Sequence, residues 1–113
     1  MTHEQVDELR ELKRQETNLH RKISRTIKRN PNSQWLSVMI DERNMIIEKM
    51  KPLRDQLLSE LADVADRLTL AFIRMYYGGK NSFEVADMFG YRDGQAILYK
   101  IKKAESQVIS DEQ

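Results

Sequence analysis

Five side chains near the end of the chain, Arg92, Gln95, Tyr99, Lys102 and Lys103, have the types and spacing to hold a polyanion and read the edges of its bases. Gln carries a donor and an acceptor together, and Tyr carries a hydroxyl on a flat ring. Lys and Arg carry the charge that phosphate oxygens attract. At ~100° per residue, Gln95, Tyr99, Lys102, Lys103 and Ser106 fall on one side of a helix. Ile97, Ile101, Ala104 and Val108 form an apolar stripe ~60° wide roughly opposite. A helix anchored by that stripe has the chemistry to enter a major groove. Gln95 and Tyr99 would meet base edges, and Arg92, Lys102 and Lys103 would meet phosphates. Lys100 lies between the two faces.

The elements that must position these groups are legible just upstream. Asn81 followed by Glu84 is an N-terminal capping pair, and Val85, Ala86 and Phe89 form the buried stripe of a short helix. Gly90 stops it, because glycine accepts the left-handed backbone of a sharp reversal. Asp93 then caps the next helix. Two helices joined by a tight turn make a helix-turn-helix candidate, with Val85, Ala86, Phe89, Gly90, Ile97 and Ile101 as its scaffold.

The rest of the chain reads as helical. From His3 to Arg29, Leu9, Leu12, Leu19 and Ile23 take alternating three- and four-residue steps, with Glu16 and Thr26 in the same heptad positions. Such an imperfect seam must pack on a later helix or on another subunit. Its second half carries Arg21, Lys22, Arg25, Lys28 and Arg29 without an acid among them. Those cations are either a solvated end favoured by the helix dipole or auxiliary phosphate contacts. Pro31 within KRNPNS breaks the pattern. A second helix starts near Ser33 or Gln34, and Trp35, Leu36, Met39, Ile40, Ile46, Ile47 and Met50 trace an apolar face interrupted only by Arg43. Trp35 and the methionines are expected to pack in the core.

Pro52 is either the first residue of a new helix or a kink in a continuous one. Beyond it, Leu57, Leu61, Val64, Leu68, Ala71 and Met75 keep heptad register, predicting one long helix to Tyr76, stopped by Gly78 and Gly79. The expected architecture is all-α: a long helical N-terminal region, hairpin or coiled-coil-like, over residues 1–52, then a long helix plus helix-turn-helix over 53–113. The polar tail over residues 109–113 is expected to fray.

Composition narrows the function classes. A chain of 113 residues with 33% charged residues and four glycines favours long charged helices over a sheet. The net charge of +1 means that any nucleic-acid surface must be local. Cysteine is absent, which excludes disulfides and cysteine-ligated zinc. No apolar run approaches a membrane span and no signal peptide opens the chain, so a soluble protein of the bacterial cytoplasm is expected. His3 and His20 stand 17 residues apart on a charged helix, and adjacent Asp41 and Glu42 diverge by ~100°. No catalytic constellation, metal site or cofactor site emerges, and an enzyme is not expected.

The motif residues also carry a resemblance. Leu68 to Val108 resembles the DNA-binding C-terminal region of bacterial sigma factors and the small phage activators of the ArpU/RinA type. Glu84, Val85, Ala86 and Gly90 match the family's Glu-hydrophobic-Ala triplet and its Gly four residues later. The usual spacing would place the hydrophobic anchor at Ala96, whereas the apolar stripe points to Ile97, implying a turn one residue longer with Asp93 at the cap. The resemblance implies a phage-encoded or prophage-encoded transcriptional regulator that binds double-stranded DNA. Between Gly79 and Glu105, five basic residues face four acidic ones. So weak a footprint predicts modest affinity from one copy, and hence a homodimer or support from RNA polymerase. Two alternatives stand beside it: a DNA-packaging or replication accessory, and a module that presents helices to polymerase or another host factor, which requires Trp35 and the Met39–Met50 face to be exposed.

Overall fold

In a computed structural model, the described residues, 1–110, form five α-helices and no strand: α1 (His3–Arg29), α2 (Trp35–Leu61), α3 (Arg67–Tyr76), α4 (Ser82–Phe89) and α5 (Gly94–Val108). The all-α class is as the sequence predicts.

A capping box opens α1: the Gln5 N–H donates to Thr2 Oγ1 at 3.1 Å, and the Thr2 N–H donates to Gln5 Oε1 at 3.0 Å. The helix closes at Asn30, whose N–H donates to the Thr26 carbonyl at 2.7 Å. The turn through Pro31 folds α2 back along α1, so the α1 seam packs within the chain. Glu16, which interrupts that seam, meets Arg43, which interrupts the α2 face: Arg43 Nε lies 2.8 Å from Glu16 Oε2.

Pro52, expected either to start a new helix or to kink a continuous one, lies inside a continuous helix: α2 runs through it to Leu61. A mid-helix proline forfeits one hydrogen bond at a cost of ~3 kcal/mol, but Pro52 and Glu48, whose carbonyl loses its donor, are both exposed, and buried Met50, Leu57 and Leu61 hold the helix on either side. The division at residue 52 therefore falls inside one helix. The long helix expected up to Tyr76 is instead two, broken over residues 62–66. Asp66 has extended backbone and its carboxylate accepts the Thr69 N–H at 2.7 Å, starting α3 afresh. Val64, counted in the seam, is 64% exposed. The break lets α3 turn Phe72 and Ile73 into the interior, where both are fully buried.

The core draws on every helix. Val6 and Leu9 of α1, Met50, Leu57 and Leu61 of α2, Phe72 and Ile73 of α3, Val85 of α4, and Ile97 and Ile101 of α5 share one cluster. Phe72 packs edge-to-face against Phe89 at 5.1 Å and Tyr91 at 5.5 Å.

The hairpin outgrows this core. Its distal half exposes Ile27, Val38 and Ile40, and Trp35 and Met45 are 63% and 61% exposed. Trp35 as a core residue is thus overturned: at this end α2 has only α1 to pack on, and one neighbour covers one strip. At the other end, α5 stops at Val108, but the tail expected to fray from Ile109 is held at its start. Ile109 packs against the core, and the Ser110 N–H donates to the Met1 carbonyl at 2.8 Å. Residues 111–113 of that tail lie outside the described residues.

Candidate nucleic-acid interface

The α4–α5 turn is built by local chemistry. Asn81 and Glu84 form a reciprocal capping box, with the Glu84 N–H donating to Asn81 Oδ1 at 2.8 Å and the Asn81 N–H to Glu84 Oε1 at 3.1 Å. Gly90 takes the left-handed conformation at φ 76°, and the Tyr91 N–H reaches back to the Ala86 carbonyl at 2.8 Å. Asp93 caps α5 by accepting the Gln95 N–H at 2.9 Å. Gly94 answers a steric demand, because a Cβ there would stand 2.5 Å from Ser82 Oγ and 2.9 Å from Ser82 Cβ. Only glycine lets the start of α5 press against the start of α4.

From this support α5 buries Ile97, Ile101 and Ala104 and turns its other side to solvent. Ile97 is fully buried and anchors the helix, whereas Ala96 is only half-buried. Arg92, Gln95, Tyr99, Lys102 and Lys103 are all exposed, Tyr99 by 67%. The two lysines flank the crest that Gln95 and Tyr99 form. Lys102 lines a groove of about 350 Å³ shared with α1. Lys103 lines a cleft of about 200 Å³ on the other flank, shared with Tyr99, half-buried Lys100 and Asp66 at the start of α3.

The five auxiliary cations of α1 are exposed as well, but they do not form one patch. Arg21 faces α5 across the groove. Lys22, Arg25 and Arg29 line a separate cavity of about 310 Å³ beside Met39 of α2. Lys28 lines neither.

Sequence reasoning missed the polar contacts that fix α1 against the module. Buried Lys13 donates from Nζ to Glu16 Oε1 at 2.7 Å and to the Lys80 carbonyl at 2.8 Å, and stands 4.4 Å from the centre of the Tyr76 ring. Arg43 reaches the Gly79 carbonyl at 2.8 Å. Arg10 Nη2 lies 2.8 Å from Glu105 Oε1, while the Tyr77 hydroxyl donates to the other oxygen of that fully buried carboxylate. Burial holds the Lys13 ammonium below its ordinary range, opposed by Glu16. Burial and the Glu105 carboxylate push the Tyr77 phenol far above its own. A signal existed for part of this. Glu16 and Arg43 are opposite charges, each the one charged residue in an otherwise uncharged seam or face.

Among the described residues, no cluster of three His, Asp or Glu side chains converges as a metal site, and no helix is long and apolar enough to cross a membrane. Comparison of the chain with known protein families, characterised proteins and solved structures finds no match.

Proposed function

We propose that the protein is a sequence-specific DNA-binding transcriptional regulator, phage-encoded or prophage-encoded, with α5 as its recognition helix. The observation that carries this reading is the arrangement of α5. Gln95 and Tyr99 stand exposed along its crest, Lys102 and Lys103 flank them, and Ile97, Ile101 and Ala104 lock the opposite side onto the fold. Gln95 and Tyr99 read base edges in the major groove, while Arg92, Lys102 and Lys103 meet phosphates. The residue roles separate in one experiment. Gln95→Ala alters the ranking of DNA sites, whereas Lys102→Ala weakens all sites alike and flattens the salt dependence. Equal losses on every sequence for both variants would remove the assignment.

One observation favours a protein-facing role alongside DNA binding. Trp35, Val38 and Met45 recur on one side of α2 and are exposed where the hairpin outgrows the core. Pairing of this surface with a second copy would set two recognition helices on one DNA and compensate for the weak charge of a single module. Sedimentation is expected to show this as a dimer that Trp35→Ala dissociates. RNA polymerase is the other partner such a surface suits, and a closed ring of many subunits would point to DNA packaging.

A further inference from the structure

Helix α1 runs past α5 in the opposite direction, tied to it by Arg10 and Glu105 near one end and separated by the 350 Å³ groove farther along. The floor of the groove is apolar and aromatic, with Tyr76, Leu98 and Ile101. Its rim is cationic, and no carboxylate lines it among the described residues. Three of its five cations are already matched from outside: Arg10 by Glu105, Lys13 by Glu16, and Arg14 by Glu11. Arg21 on α1 and Lys102 on α5 make no ion pair among the described residues and face the groove from opposite walls. Thr17 and Asn18, on the same side of α1, add a hydroxyl and an amide.

We propose that this groove is a phosphate clamp, in which Arg21 and Lys102 grip one strand of the DNA backbone beside the major groove that α5 enters. The proposal rests on the DNA-binding reading and extends it, because the hairpin becomes part of the interface. It also gives the buried charges a role. An ion pair taken out of water is weak evidence for stability, since desolvation offsets the attraction, but it fixes register. Lys13, Glu16 and Arg43 bind α1 and α2 to the backbone of Gly79 and Lys80, just ahead of α4. That contact sets the distance between the groove walls before DNA arrives. It also divides the cations of α1. Arg21 belongs to the clamp, whereas Lys22 and Arg29, beside Met39, face another way.

The test is the salt dependence of binding to a duplex of random sequence, for the full chain and three variants of exposed residues. Each phosphate contact contributes about 0.9 to the slope of log K against log salt, so losing one makes the affinity drop between 50 and 200 mM about 3–4-fold smaller. Arg21→Gln and Lys102→Gln are each expected to lower the slope by about that unit, and Lys51→Gln on exposed α2 to leave it unchanged. Unchanged helicity by circular dichroism separates these effects from misfolding. Duplex binding in which Lys102→Gln lowers the slope and Arg21→Gln does not would overturn the clamp while leaving α5 as the reader. The groove would then be open to an acidic protein segment instead. Equal losses for Lys51→Gln and Arg21→Gln would reduce the effect to diffuse attraction and also overturn it. Absence of duplex binding at 50 mM salt by the unaltered chain would remove both the clamp and the DNA-binding reading.

Discussion

The two ends of the α1–α2 hairpin carry similar residues in different surroundings. At the end beside α3, α4 and α5, apolar side chains disappear: Val6, Leu9, Met50, Leu57 and Leu61 are all buried. At the far end, Ile27, Trp35, Val38, Ile40 and Met45 remain exposed. Helical pattern is the same at both ends, so periodicity alone does not decide burial. A third layer does. Two helices hide only the strip between them, and the module supplies the second surface that closes the near end. The near end can also hold buried charges, because neighbouring backbone and side chains satisfy them; every buried side-chain N or O atom among the described residues has a partner.

The contrast is sharpest in truncations. Phe72→Ala removes a ring packed against Phe89 and Tyr91 and is expected to cost about 3–5 kcal/mol in urea unfolding. Trp35→Ala removes a larger ring, yet monomer stability should move by no more than about 0.5 kcal/mol. Comparable losses would mean that the far end is covered after all.

Glu16→Ala asks whether the buried charges depend on one another. It strands Lys13 and Arg43, and breaking a buried pair this way costs about 3 kcal/mol or more. A cost below ~1 kcal/mol, in the range of surface pairs, would show that water reaches the site.

A smaller effect appears at alkaline pH. The Tyr77 phenol titrates above its ordinary value of 10.0 in the fold, while the unfolded chain releases that proton near 10. A raised folded pKa gives stability that is complete below pH ~10 and is lost as pH rises further. Tyr77→Phe should therefore cost about 1–2 kcal/mol at neutral pH, where Glu105 loses a donor, and decline less steeply above pH ~10. Lys13, whose pKa is lowered, acts in the opposite sense. It is present in both proteins, so their difference isolates the tyrosine. Parallel alkaline limbs would contradict the buried contact.

What could be read from the chain follows the range of the forces involved. The α4–α5 turn was legible down to Asn81, Glu84, Gly90, Asp93 and Ile97, because caps and a left-handed glycine act over three or four residues. The break before α3 was not. Leu57, Leu61, Val64, Leu68, Ala71 and Met75 keep a heptad register across it by coincidence, and the cap formed by Asp66 and Thr69 is a weak signal against so regular a run. Trp35 failed for a related reason: its pattern is that of a core residue, but the surface that would cover it is absent from this end of the fold. The outward face of α5 was legible as a set of residue types. That Lys102 faces α1 and Lys103 faces α3 required the fold.

The measurement that bears most directly on this account is selection of random-sequence duplex DNA by the full chain at two salt concentrations, followed by sequencing. Enrichment of a defined motif is the predicted result, with affinity falling steeply as salt rises and, for a dimer, two half-sites one helical turn apart. Binding without enrichment would contradict base reading by Gln95 and Tyr99, and absence of binding at low salt would contradict the DNA-binding account as a whole.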